Sequence, residues 1–169
     1  TVIVSTTDDE LPEVNLSVSV AFGTEAAGTV ITVTATATGA VIGDQTIDLA
    51  ASGTGITGTD YSLSAGTITI LNGATTGTAT FTILDDADIE GTETATLTIS
   101  NPSSGLSLGV TTTQNITITD NEIPTVNLTI NSASVGEAGN VVVLTVTADV
   151  AVVGDQTVDV AVTGAGVTG

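Results

Sequence analysis

"ATFTILDDADIEGTETATLTIS", residues 79–100, sets two runs of strict alternation around one acidic turn. Ala79, Phe81 and Ile83 alternate with threonine, and Ala95, Leu97 and Ile99 do so again. Period two is the signature of a strand with one buried face and one wet face. Between the runs, five carboxylates fall within the nine residues from Asp85 to Glu93. The stretch reads as two antiparallel strands joined by an acidic connection.

The same period extends in both directions. Val14, Leu16, Val18 and Val20 alternate with Asn15, Ser17 and Ser19, and Ile31, Val33, Ala35 and Ala37 alternate with threonine. Strands are predicted near 14–21, 29–38, 45–51, 66–71, 75–84, 92–100 and 109–119, separated by Gly, Asn and Asp turn signals such as "NGAT" at Asn72. Seven short strands in about 110 residues is the footprint of an all-β, immunoglobulin-like β-sandwich. The outward positions are mostly threonine, which suits a solvated strand face without adding charge. The inward positions use many Ala and Val and few aromatics, so stability must lean on something besides apolar burial.

The chain also repeats itself. "TDDELPEVNLSV" from Thr7 returns as "TDNEIPTVNLTI" from Thr119, an offset of 112 residues. "VIGDQTIDLAASGTGITG" from Val41 returns as "VVGDQTVDVAVTGAGVTG" from Val152, an offset of 111. The expected organisation is the last strand and linker of a preceding repeat at 1–10, a complete repeat at 11–123, and the first half of a following repeat at 124–169. Such a half repeat exposes strand edges and an apolar face. More chain would cover it, or another copy adding a strand head to tail.

Charge narrows the chemistry. The chain has 19 acidic residues, no Lys, Arg or His, and a formal charge of −19. No internal salt bridge can offset the self-repulsion, so a cation from outside is the expected counterweight. Nucleic-acid binding draws on Lys and Arg and is excluded; an anionic membrane surface repels the chain, and no apolar run approaches the roughly 20 residues of a membrane span. Without Cys or His, disulfides, zinc sites and imidazole catalysis drop out together. Oxygen chemistry remains.

The acids cluster. Of twelve between Pro12 and Ile123, nine lie in four segments: Glu25; Asp60; Asp85, Asp86, Asp88, Glu90 and Glu93; Asp120 and Glu122. These follow the first, third, fifth and seventh predicted strands. Odd-numbered strands of an up-and-down sandwich run the same way and deliver all four segments to one pole. Carboxylates from several loops suit calcium, which takes six to eight oxygens, better than magnesium, whose tight octahedron keeps several waters. "DADIEG" at Asp86 imitates the start of an EF-hand loop, but its twelfth position is Leu97.

"EAAGTV" at Glu25, "GTDYSLSAGTITI" from Gly58, "FTILDDADIEGTETATLTISNPSSG" from Phe81 and "ITITDNE" from Ile116 together resemble the Calx-beta domain. The resemblance covers the complete repeat. It implies calcium-ligand positions at Glu25, Asp60, Asp85, Asp86, Glu90, Asp120 and Glu122, with Glu93 beside them as a supporting group. Ala87 stands where calcium-rich members carry a third consecutive Asp, and Asn121 interrupts the terminal acidic run. The implied count is one or two Ca2+ per complete repeat.

Three Asn-x-Ser/Thr sequons, at Asn15, Asn115 and Asn127, are candidate sites for covalent glycans. The function expected from all this is structural: a module of an extracellular or cell-surface fibre, filament or adhesin stalk, stiffened by calcium between repeats. Its partners are neighbouring repeats or copies of itself. The alternative is a cell-adhesion module that holds carbohydrate or protein, although Tyr61 is the only tyrosine available as a sugar platform. Paired carboxylates could hydrolyse glycosides, but a pole crowded with acids offers a metal site rather than a substrate cleft, so no enzymatic activity is expected.

Overall fold

The computed structural model describes residues 10–136 and 139–165. The segment expected to close a preceding repeat, 1–10, lies outside these except for Glu10. The chain divides into two compact units, Thr1–Asn121 and Glu122–Gly169.

The first unit is an all-β sandwich. In chain order its strands are β1 (Glu13–Val18), β2 (Phe22–Thr24), β3 (Val30–Ala37), β4 (Gln45–Ser52), β5 (Tyr61–Leu63), β6 (Thr67–Ile70), β7 (Thr76–Ile83), β8 (Glu93–Ser100), β9 (Ser107–Leu108) and β10 (Thr113–Thr119). One sheet has the order β5-β7-β3-β1-β9, the other β2-β10-β8-β4-β6. Each of the seven predicted strands is present, but they are not up-and-down neighbours. β3 and β4 lie in different sheets, and the strand expected at 14–21 ends at Val18 as β1 in the first sheet, while a separate short strand, β2, follows at Phe22–Thr24 in the second. A Cβ at Gly23 would meet Ile83 Cδ1 at 2.6 Å, so only glycine lets β2 lie this close to the end of β7.

Register puts the apolar phases side by side. Leu16 pairs with Ala35, Ile31 with Phe81 and Val33 with Ala79 in the first sheet. In the second, Ile116 pairs with Ala95, Leu49 with Ile99 and Ile47 with Ile68. These residues are buried between the sheets, while the threonines of the same strands face outward or are half-buried. Each fully buried Ile, Leu or Phe contributes about 1.5–3 kcal/mol. Tyr61 stacks on Phe81 with ring centroids 5.1 Å apart and planes 9° from parallel. β5 was not expected from the sequence, because three residues are too few for period two to show.

Two pairings set direction. β1 runs parallel to β9 and β2 runs parallel to β10. The start of β1 therefore lies by Ser107, while the end of β2 lies by Thr119.

In the second unit β11 (Val126–Ile130) pairs antiparallel with β12 (Leu144–Ala148). Val126, Leu128 and Ile130 face Ala148, Val146 and Leu144 in register, so one face of this ribbon is wholly apolar. It is exposed: Leu128 is 56 % accessible, whereas Leu16, its counterpart 112 residues earlier, is 2 % accessible. Val158 and Val160 line a cavity of about 320 Å³ with Val126, Leu128 and Val146. The repeated "GDQT" folds alike in both units. Gly43 and Gly154 share φ of 69°, and the side-chain amides of Gln45 and Gln156 donate to the carbonyls of Ile42 at 2.7 Å and Val153 at 2.9 Å.

Candidate metal centre

Four segments carry acids to one end of the sandwich. Glu25 opens a single 3-10 turn, Glu25–Ala27, directly after β2; Gly28 closes it in the left-handed region, its N–H donating to the Glu25 carbonyl. Asp60 directly precedes β5, whose Tyr61 pairs with Ile83 at the end of β7. The Leu84 N–H donates to the Asp60 carbonyl at 2.9 Å, bringing the Asp60 loop against the start of the acidic connection. Asp120 follows β10, and its carboxylate accepts the Glu90 N–H.

Two groups of three carboxylates result, with one oxygen of each residue within 4.8 Å of the others in its group. Glu25, Asp120 and Glu122 form one, and Asp60, Glu90 and Glu93 form the other. Glu25 and Asp60 are buried, 2 % and 1 % accessible, which is exceptional for carboxylates with no cationic side chain in the sequence. Of the seven residues singled out as candidate ligands, Glu25, Asp60, Glu90, Asp120 and Glu122 fall in these groups. Asp85 is exposed, and Asp86, half-buried, accepts the Asp88 N–H at 2.8 Å; neither joins a group.

Glu93, expected only as support, stands in the second group. The signal was in the alternation: Glu93 shares the phase of Ala95, Leu97 and Ile99, all of which point into the sandwich. Gly55 makes room for it. A Cβ at Gly55, whose φ is +86°, would come within 2.2 Å of Glu93 Oε1.

Electrostatics within the site are unfavourable without a cation. The Glu90 carboxyl is pushed up to about 6, first by burial and then by Glu93, Asp60, Asp86 and Asp88. Glu93 is raised too, by burial and then by Asp60, Asp120 and Asp86. Oε2 of Glu90 and Oε2 of Glu93 are shut off from solvent with no hydrogen-bond donor in reach. Such atoms cost free energy unless something electropositive meets them. An all-oxygen donor set with two sealed carboxylate oxygens fits a hard divalent cation.

The raised carboxyls give a pH prediction for the metal-free protein. A carboxyl whose pKa is higher folded than unfolded supports the folded state below its ordinary value of 4.5, and that support is lost as pH rises to about 6. Thermal midpoints in calcium-free buffer are therefore expected to fall between about pH 4.5 and 6. A midpoint that stays level or climbs across this window would contradict the charge arrangement.

The sequons differ in access. Asn15 is half-buried, its Oδ1 accepting the Thr111 N–H at 2.9 Å. Asn115 accepts the Thr96 hydroxyl at 3.0 Å but is exposed, and Asn127 is exposed on β11.

A family model for the Calx-beta domain matches residues 7–122. Among solved structures, the apo-form Calx CBD1 domain is similar at a TM-score of 0.54 and 22 % identity, over 67 % of this chain and 100 % of that one. CBD12 from CALX1.2 is similar at a TM-score of 0.51 and 23 % identity, over 59 % of this chain. The calcium binding domain CBD12 of CALX1.1 is similar at 0.52 and 22 %, over 60 %. The match spans only 40 % and 41 % of those two CBD12 chains. At such identities the likeness concerns the fold. A search of curated proteins found no match.

Proposed function

The chain belongs to the Calx-beta family, and from that premise we propose that the acidic pole of its first unit binds calcium to stiffen an extracellular structural module. One observation carries the reading. Two three-carboxylate groups share a pole, with sealed glutamate oxygens and no cationic side chain anywhere in the sequence. Glu25, Asp120 and Glu122 would hold one ion and Asp60, Glu90 and Glu93 a second. The similar CBD12 of CALX1.1 is a calcium binding domain, which supports the choice of ion.

The structural role follows from where the ligands sit along the chain. Asp120 and Glu122 occupy the chain as it leaves β10, just before Pro124. An ion held by these residues and by Glu25 restrains the exit strand, where a free linker would bend. The 112-residue repeat supports a tandem array, and a string of restrained exits is a stalk, fibre or filament on the cell surface. Neighbouring repeats or further copies of the chain are its partners. Exposed Asn115 and Asn127 are the sequons open to glycans. Binding and mechanics, not catalysis, are the activity proposed.

Calorimetric titration of the full chain with calcium, and separately with magnesium, tests this. Saturation at one or two calcium ions per chain, with magnesium at least about tenfold weaker, is expected. A titration without calcium heat, or with no preference over magnesium, would remove the reading.

A further inference from the structure

Asp60 is held by donors from its own loop. Its Oδ2 accepts the Thr57 N–H, while its Oδ1 lies 3.1 Å from the Thr57 hydroxyl and 3.0 Å from that of Thr59. The two hydroxyl oxygens lie 2.7 Å apart, and the Thr59 N–H donates back to the Thr57 hydroxyl at 3.3 Å. The Leu84 N–H fixes the Asp60 main chain from the other side. Each carboxylate oxygen offers two lone-pair directions. The two hydroxyls have two protons for three contacts, so the 2.7 Å contact between them takes one and Oδ1 receives the other, while Oδ2 accepts a main-chain N–H. Each oxygen keeps one direction open.

Neither hydroxyl is needed to fill the core, and both residues lie in an exposed turn. We infer that Thr57 and Thr59 are positioning residues that lock the Asp60 carboxylate in one orientation before any cation arrives. This inference rests on the calcium reading above and adds to it the residues that set the geometry of the second group. A ligand already fixed loses little freedom on binding. Glu90 and Glu93, longer and without such clamps on their Oε2 atoms, then close onto the ion from the other side. Such a division also suits calcium: one rigid carboxylate leaves the remaining shell free to expand to the seven or so ligands that calcium takes. The motif recurs in the sequence, where "GTGITG" from Gly53 returns as "GAGVTG" from Gly164 with Thr168 at the place of Thr57. Thr168 lies outside the described residues.

The test uses the full chain and calcium itself. Thr57→Val keeps the main-chain donor and the side-chain shape but removes the hydroxyl. It is expected to weaken calcium binding about tenfold, the scale of one hydrogen bond to a charged group, whereas Thr57→Ser stays within about twofold of the parent. In an Asp60→Asn background, Thr57→Val is expected to cost no further affinity, because a residue acting through Asp60 has nothing left to position. A purely structural threonine would lower the calcium-free unfolding midpoint in both valine and serine variants and leave affinity alone. If the parent chain binds calcium and Thr57→Val binds it equally, or loses the same factor in the Asp60→Asn background, the positioning role is wrong and the calcium reading stands. If the parent chain binds no calcium, both fall. Thr59→Val against Thr59→Ser supplies the same comparison should Thr57→Val not fold.

Discussion

Calcium at about a hundred times its dissociation constant is expected to stabilise the protein by about 2.7 kcal/mol, raising the unfolding midpoint of the first unit by about 10 °C over calcium-free buffer. The gain comes from relieving a penalty already present in the fold, where Glu90 and Glu93 are held close to Asp60 with sealed oxygens. That origin makes the effect of Glu90→Gln change sign with the metal. Without calcium, the amide removes a carboxyl that burial and four neighbouring acids disfavour, so the midpoint should rise. With calcium, the variant lacks a charged ligand and should lose most of the parent's gain. Midpoints of parent and variant, plotted against calcium concentration, are expected to cross. Parallel curves would mean that Glu90 takes no part in binding.

Phe81→Ala should be the most damaging single change in the first unit. Phe81 is fully buried, stacks on Tyr61, and pairs in register with Ile31 and Leu63. A buried Phe→Ala change costs about 3–5 kcal/mol, against a total of about 5–15 kcal/mol for a domain. The neighbours cannot easily fill the gap, because several inward positions, Ala35, Ala79 and Ala95 among them, are already at minimal size. β7 also ends at Ile83, two residues before Asp85, so loosening this strand loosens the acidic connection. Denaturant titration should show the full loss, with Phe81→Leu costing about half as much. A loss below about 1 kcal/mol would place Phe81 outside the core.

The sandwich was legible in the sequence because its long strands alternate so strictly. Each inward position from Val14 to Leu16, from Ile31 to Ala37 and from Ala95 to Ile99 could be assigned by parity alone. The pole was legible for the same reason, since strand direction follows from strand count. What alternation could not supply was sheet membership: the switch of β2 into the second sheet depends on the space beside Ile83 that Gly23 leaves, a contact between distant residues. Within the site, Asp85 and Asp86 were singled out by the family resemblance, in a stretch crowded with acids. Crowding in sequence says nothing about which way a loop side chain turns, and both lie outside the two carboxylate groups. Glu93 could have been placed by its parity with Ala95. Thr57 and Thr59 carried no signal in the sequence, because their role lies in the hydroxyls they aim at Asp60.

Tension is the setting in which the two parallel pairings matter most. The chain enters the first unit along β1 at one pole and leaves along β10 at the other. A pull on the two ends therefore slides β1 and β2 along β9 and β10 instead of peeling them apart. The Leu16 N–H to Thr111 bond at 2.7 Å, the Thr117 N–H to Ala21 bond at 2.9 Å and the ladder between β2 and β10 take the load together. Bonds loaded in shear must fail as a set, whereas bonds in a zipper fail singly. The edges that complete the two sheets thus also act as the unit's lock against being drawn out into an open chain.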